Sequence, residues 1–370
     1  MRPGQPPLAL RRLPGVKTLS RTVLLAATAL ALTAALAPAT TASPSPGAGV
    51  GPARTTVLDV RGLEQGAPPA IAWSERKDGR TVVHGTGGTL TPVPNRLTEV
   101  APMGSGYVIQ TLSRSGTTTR WVSADGTPGR REWRTGYGLG VSPKGEVVAF
   151  AGRAGRVWTI DQEGDRVFRY NRPPVTGTAH AVAVTGENCK EGEGDPGFGC
   201  SIAVNGPHRA FYTSSHGIVD RVPHLLQTDT GRGRWLGGLT SVSDFGSCSA
   251  MLRSWRVAWR TCDNQLSDIS TDNRHVLGTP AYADGFGPGA LDVLTTADGS
   301  VVHSFTYRRG GGSATYFDEV WEDAEHVLVV TYQDGEWAIV RLGVDGSMEY
   351  AVAPRRGSMD TWTPFQLQTR

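Results

Sequence analysis

The segment 258–278, AWRTCDNQLSDISTDNRHVLG, gathers residue types that carry nucleophilic and acid–base chemistry. It holds Cys262, three aspartates and His275 within a short stretch of chain. A thiol beside an imidazole base is the pairing that a cysteine nucleophile requires. The segment is therefore the first candidate for a reactive centre, and the surrounding pattern decides between that hypothesis and a structural role.

The pattern favours a structural role for these residues. Asp268 and Asp272 fall at a predicted strand end and turn, where carboxylates accept hydrogen bonds from backbone N–H groups. His275 occupies the same place as Glu146 and His326 in a repeated motif. A residue type that recurs in a repeat indicates a solvent-facing strand position more than one member of a catalytic set.

The four cysteines predict two disulfide bonds. They are Cys189, Cys200, Cys248 and Cys262, and an even number of cysteines in an exported chain is typical of disulfides. Three pairings are possible, and proximity in sequence favours 189–200 and 248–262. The second pair encloses two short strands around a turn near 253–255, which would bring its cysteines face to face. Zinc is the competing hypothesis, but no C-x-x-C or H-x-H spacing supports it.

Other signatures of catalysis are missing from the sequence. The glycine-rich segment 285–290 lacks the strand–turn–helix context of a dinucleotide site, and there is no G-x-S-x-G motif. Ser215 and His216 are adjacent, so on a strand they would point to opposite faces. The turn SADGTPGRREW at 123–133 resembles a sialidase motif but lacks its later glycine. We therefore predict no catalytic residue.

One acidic loop is the only candidate for a bound ion. Glu191, Glu193 and Asp195 offer oxygen ligands of the kind that calcium prefers. Their spacing matches no known calcium loop, so the expectation is that the protein has no cofactor, with calcium as the alternative.

The elements that must position these residues are short strands separated by Gly, Asp and Pro, with no long pattern of helical period. Segments 141–170, 269–305 and 321–352 align with one another, each with turns at matching places. Weaker units at 69–94, 97–136, 178–225 and 226–266 complete a period near ~43 residues, which is typical of a four-stranded propeller blade. The sequence thus predicts an all-β, seven-bladed β-propeller of four-stranded antiparallel blades. Either 55–60 or 360–368 would close the ring. The ten tryptophans are expected to pack between blades.

The N-terminal region has the layout of a secretory signal peptide. Residues 1–42 run from five cations and no acid to an apolar stretch and then to small residues. An uncleaved membrane anchor is the alternative, although the apolar run is shorter than a span requires. We predict a signal peptide over 1–42, a flexible Pro/Gly/Ser-rich linker over 43–55 and the propeller over 56–370. Without 1–42 the acids outnumber the cations by two, so no nucleic-acid partner is expected. Because the apolar run lies in the predicted signal peptide, no membrane span is expected in the mature chain.

The segments WRTCDNQLSDISTDNRHVLG and VWEDAEHVLVVTYQDGEWAIVRLGVDG resemble the secreted WD40-like, TolB-type β-propellers of actinobacteria. The resemblance is strong over about 245–355, and the family's S-P-D-G-R turn is degraded here to SPKGEV and STDNRH. It implies a propeller fold and an exported location, and it transfers no catalytic residue.

The function favoured by this sequence is binding rather than catalysis. We expect a monomeric, secreted or cell-wall-associated scaffold whose partner is an extracellular protein or a glycan. Loops 281–289 and 308–315 should lie on one face, which makes Tyr282, Asp284, Phe286, Arg308 and Arg309 the candidate binding residues. The alternative is a secreted hydrolase or lyase that uses carboxylates around the propeller axis. Acids converging on that axis with perturbed pKa values would favour it.

Overall fold

The fold is given by a computed structural model of the chain. It describes residues 53–152, 155–161, 167–169, 178–186, 189, 200–282, 289–306, 313–360 and 363–370. The predicted signal peptide and most of the predicted linker lie outside these residues, as do Glu191, Glu193 and Asp195. The described part of the chain contains no helix of the length and hydrophobicity needed to span a membrane.

Within the described residues, twenty-nine strands form seven sheets, which are the blades of the propeller. Blade 1 contains β2 (Trp73–Lys77), β3 (Arg80–His84), β4 (Leu90–Val93) and β29 (Phe365–Leu367); blade 2 contains β5 (Leu97–Met103), β6 (Gly106–Ser113), β7 (Gly116–Ser123) and β8 (Pro128–Thr135); blade 3 contains β9 (Gly140–Val141), β10 (Val147–Ala151), β11 (Val157–Asp161) and β12 (Val167–Arg169); blade 4 contains β13 (His180–Val184), β14 (Ser201–Asn205), β15 (Ala210–Ser214) and β16 (Val219–Arg221). Blade 5 contains β17 (Gln227–Arg232), β18 (Trp235–Ser243), β19 (Gly246–Arg253) and β20 (Arg256–Thr261); blade 6 contains β21 (Asn264–Ile269), β22 (His275–Pro280), β23 (Ala290–Thr295) and β24 (Val301–Thr306), with β1 (Arg54–Val57) added; blade 7 contains β25 (Thr315–Trp321), β26 (His326–Gln333), β27 (Glu336–Gly343) and β28 (Met348–Arg356).

The ring is closed by the second of the two candidate segments. β29 is the innermost strand of blade 1 and pairs antiparallel with β2, so this blade joins the two ends of the folded chain. The first candidate has another place, because β1 pairs parallel with β24 as a fifth, outer strand of blade 6. β1 begins at Arg54, so the last two residues of the predicted linker lie in this strand.

The core is divided into seven apolar clusters, one at each interface between neighbouring blades. Strand β10 shows how the sequence builds them: Val148 and Phe150 pack towards blade 2, whereas Val147 and Ala149 pack towards blade 4. Because both faces of a blade are buried near its centre, middle strands such as β10 and β26 are nearly continuous apolar runs, whereas the outer strand β20 alternates. Nine of the ten tryptophans belong to these clusters, as predicted, and Trp362 lies outside the described residues.

The aligned repeat units are offset from the blades by one strand. Val141, Ile269 and Trp321 begin the three strongest units, and each is the last residue of an innermost strand. The units align from this point because the turn after the innermost strand has the most distinctive sequence. In blades 6 and 7 that turn contains Asp272 and Asp323, whose carboxylates accept hydrogen bonds from backbone amides of the turn or of the strand that follows it. The innermost strands themselves are irregular, with a β-bulge or other register shift in five blades.

Candidate functional site

The two faces of the ring are defined by strand direction. We call the end at which every innermost strand begins the top face, and the other end the bottom face. Because successive strands of a blade are antiparallel, the top face carries the loops between second and third strands and the loops between blades. The bottom face carries the remaining turns. Both faces surround a central channel lined by the innermost strands.

Asp268 and Asp272 of the 258–278 segment have the structural role that was predicted. The Asp272 carboxylate accepts hydrogen bonds from the Ser270 hydroxyl (2.7 Å) and the Arg274 amide (3.0 Å), which closes a bottom-face turn. The Asp268 carboxylate accepts from the Ile269 amide (2.8 Å) and from the amide of Trp321 in the next blade (2.9 Å). These carboxylates therefore fix a turn and join two blades.

His275 departs from the prediction of a solvent-facing position. Its ring is half-buried and stacks on Trp321, with centroids 5.7 Å apart and planes 23° apart. The reason is that this strand position lies beside a blade interface, where a large ring covers apolar surface that would otherwise face water.

Both predicted disulfides are confirmed. Cys189 is bonded to Cys200, and both lie in the core between blades 3 and 4. Cys248 is bonded to Cys262 across strands β19 and β20, which are joined by a turn at Ser254–Trp255 with positive φ at both residues. The second bond lies near the top face and crosslinks the base of the hairpin that β18 and β19 form there.

Exposed apolar side chains are concentrated on the top face. Of the eight large apolar side chains that are strongly exposed in the described chain, two lie at bottom-face turns, Leu90 and Ile218. The other six lie on top-face connections, at strand ends beside them or at the channel mouth: Tyr137, Leu226, Val242, Phe245, Tyr282 and Phe317. An exposed apolar surface of this kind marks interaction sites on soluble proteins.

The most prominent of these side chains belongs to the β18–β19 hairpin. Phe245 is 92% exposed and lies in the two-residue turn at its tip, while Val242 on the same hairpin is 66% exposed. The Ser243 hydroxyl accepts a hydrogen bond from the Phe245 amide (3.3 Å) and donates to the Gly246 carbonyl (3.1 Å). The Cys248–Cys262 bond holds the base of the hairpin, so the ring of Phe245 is presented on a fixed support.

Tyr282 is the one predicted binding residue within the described chain. It is 59% exposed on the neighbouring top-face loop, which is bound to the hairpin because the Ser247 amide donates to the Ala281 carbonyl (3.2 Å). Asp284, Phe286, Arg308 and Arg309 lie outside the described residues, so their placement in a binding face stays a prediction.

The channel encloses about 790 Å³ and is lined by acids from four blades. These are Glu99, Asp229, Asp268, Asp318 and Glu319. Burial raises the pKa of Asp229 to about 7, and burial is the dominant cause at the other four as well. Mutual repulsion adds to the rise, since Glu319 and Glu99 lie near Asp318, whose pKa is about 7.

Most of these carboxylates are occupied by contacts that close the ring. Asp318 accepts a hydrogen bond from the Leu367 amide of β29 (2.8 Å), and Glu99 accepts one from the Thr369 hydroxyl. Asp229 differs, because it lies at the bulge of β17 and no described residue donates a hydrogen bond to it. It is the carboxyl group best placed to meet a ligand in the channel.

Sequence reasoning missed both Phe245 and the channel acids. Phe245 reads as an ordinary hairpin turn residue, since only the disulfide and the ring show that it projects. The acids had a detectable signal, because an acid recurs in the innermost strands of blades 2, 5, 6 and 7. That signal was hidden by the one-strand offset of the repeat units.

The comparisons with known proteins give structural similarity alone. No protein-family model and no curated protein sequence matches the chain. Among solved structures, the β-propeller domain of Cps50 (Swd1) from Myceliophteria thermophila is 11% identical over 71% of this chain and 87% of that chain, with a TM-score of 0.47. Hsv2 from Kluyvelomyces marxianus is 13% identical over 75% and 80%, with a TM-score of 0.42. TolB from Acinetobacter baumannii is 11% identical over 78% of this chain and 64% of its own, with a TM-score of 0.43.

The channel acids predict that stability falls as pH rises through neutrality. Glu319 keeps its proton in the folded state to about pH 7, whereas in the unfolded chain it loses it near pH 4. Its contribution is therefore fully present below the unfolded-state pKa and is lost as pH rises through the folded-state pKa, at about 3 kcal/mol for a rise of this size. We expect the Tm to decrease between pH 5 and pH 8.5. Glu319→Gln should flatten that decrease, and Glu325→Gln, at an exposed bottom-face position, should leave it unchanged. If the Tm fell equally with pH in wild type and in Glu319→Gln, a raised pKa of Glu319 in the folded state would be contradicted.

Proposed function

We propose that the chain is an exported binding module whose top face docks an extracellular or cell-wall protein. The observation that carries the proposal is the segregation of exposed apolar side chains to that face, with Phe245 at the tip of a crosslinked hairpin. Binding energy at protein interfaces is concentrated in a few buried aromatic side chains that enter a pocket on the partner. A rigid support lowers the entropy lost when such a side chain is immobilised.

Export is supported by the layout of residues 1–42 and by the two disulfide bonds. Disulfides form and persist outside the reducing cytosol, and both cysteine pairs of this chain are bonded. An oxidising location would keep the hairpin crosslinked and its apolar tip fixed, so the location and the proposed binding site depend on each other.

Capture from the producer's culture fluid and cell wall tests this proposal. With the mature domain as bait, we expect one protein to be recovered in stoichiometric amount. Phe245→Ala should reduce its recovery by about tenfold or more, as removal of a central aromatic side chain commonly does. Ile218→Ala is the matched control, because it removes an exposed apolar side chain from the bottom face.

Two results would count against docking at the top face, and a third would count against a protein partner. One is equal recovery by wild type and Phe245→Ala, and another is loss with Ile218→Ala instead. Retention of the domain only on polysaccharide would replace the protein partner with a glycan. The thermal stability of both variants serves as the check that each is folded.

A second candidate function is a hydrolase or lyase that acts in the channel. It is favoured by Asp229, an unpartnered carboxyl group with a pKa of about 7, which suits a general acid. It is less well supported than binding, because Glu99, Asp268 and Asp318 accept hydrogen bonds that hold the ring together.

A panel of chromogenic glycosides and cell-wall polysaccharides tests the second candidate. If the channel is catalytic, Asp229→Asn should lower turnover by at least ~10²-fold while the Tm stays the same or rises. Turnover that survives Asp229→Asn would show that Asp229 is not the general acid, and no turnover on any substrate of the panel would count against the second candidate.

A further inference from the structure

The charges of the top face are separated into two halves. The described connections around blades 1–4 carry four arginines, Arg96, Arg114, Arg156 and Arg209, against a single acid, Asp78. All four arginine side chains are exposed, and none forms an ion pair with a described residue. We call this the basic half.

The connections of the other half carry acids. The described connections around blades 5–7 carry Asp244, Asp263, Asp334 and Asp360, and no lysine or arginine lies in those described connections. Two cations reach this half from outside the connections, since Arg61 lies 4.0 Å from Asp334 and the exposed Arg356 ends β28. Phe245 and Tyr282 belong to this half. Phe245 and Tyr282 therefore lie across the channel mouth from the four arginines, whereas the exposed side chains of Tyr137 and Leu226 lie in connections of the basic half.

From this layout we infer that the partner contacts the basic half through an acidic segment while a separate apolar pocket receives Phe245. The inference rests on the proposed function and adds the chemistry and orientation of the partner. Complementary charge accelerates association and suppresses incorrect orientations, because like charges brought together oppose docking. Asp244, Asp263 and Asp360, which form no ion pair with a described residue, would repel an acidic segment from blades 5–7, so the orientation that places this segment on the basic half is favoured.

The same layout disfavours a uniform polyanion and a lipid surface as occupants. A nucleic acid or an anionic wall polymer covering the whole face would meet the four aspartates as well as the arginines. A membrane-binding surface needs cations next to its apolar side chains, so that headgroups and acyl chains are contacted together. Here Phe245, the most exposed apolar side chain, lies beside Asp244 and across the mouth from the arginines, although Tyr137 and Leu226 lie on the same half as the arginines. A lipid surface would therefore not contact Phe245 and the arginines together.

The test compares charge-reversal variants of the full mature domain. The variant Arg114→Glu/Arg209→Glu alters the basic half, and Arg253→Glu/Arg256→Glu alters two exposed arginines at one bottom-face turn. The probes are a short Asp/Glu-rich peptide containing Phe and Leu, the same peptide with Lys at each acidic position, heparin, and vesicles containing phosphatidylglycerol. Binding is measured at about 50 mM and about 500 mM salt, because exposed charge interactions are screened over that range.

We expect the acidic peptide to bind and the Lys peptide not to bind. Charge reversal in the basic half should lower the affinity for the acidic peptide by about tenfold or more at low salt. Charge reversal at the bottom face should change that affinity by less than about twofold. The inference is overturned if both pairs of reversals act equally, if no peptide binds, or if heparin or the vesicles bind while the peptides do not.

Capture of the culture-fluid partner separates this inference from the proposed function. If Phe245→Ala abolishes capture and the basic-half reversal leaves capture unchanged, docking at the top face is supported. The inference that the partner contacts the basic half through an acidic segment is then wrong. If Phe245→Ala leaves capture unchanged, the proposed function itself fails.

Discussion

The pairing of β29 with β2 is the constraint on which the rest of the structure depends. Without it, blade 1 would lack its innermost strand, and the row of backbone groups on β2 would be an open edge. The segment is also fixed to both neighbouring blades, since the Leu367 amide donates to Asp318 of blade 7 and the Thr369 amide donates to the Val100 carbonyl of blade 2 (2.7 Å). Closure therefore joins three blades through a strand of three residues.

The closed ring accounts for two features that cost free energy, the buried acids of the channel and the exposed apolar side chain of Phe245. The innermost strands bring five acids into one channel, and their raised pKa values show that this placement is unfavourable for the ionised forms. The cost is offset by the seven apolar interfaces and by hydrogen bonds that three of these acids accept. Asp268 and Asp318 accept them from backbone amides, and Glu99 accepts one from the Thr369 hydroxyl. The same rigidity keeps Phe245 exposed, because the hairpin cannot fold back onto the ring to bury it.

The sequence was sufficient for the blade count and both disulfides, because these follow from local patterns. Turn residues recur at a fixed spacing, and Cys248 and Cys262 flank a hairpin whose geometry is set by its own residues. It was insufficient for the choice of closing strand and for the channel, since both depend on contacts across almost the full length of the chain. The half-buried state of His275 has the same origin, because the Trp321 that covers it belongs to the next blade.

Hydrogen–deuterium exchange of the mature domain tests ring closure most directly. If β29 closes the ring, the amides of Leu367 and Thr369 should exchange as slowly as those of Val329 and Val340 in the buried strands of blade 7, because both sets would open only when the whole domain unfolds. Exchange of Leu367 and Thr369 within seconds, with Val329 and Val340 still protected, would contradict closure by this strand.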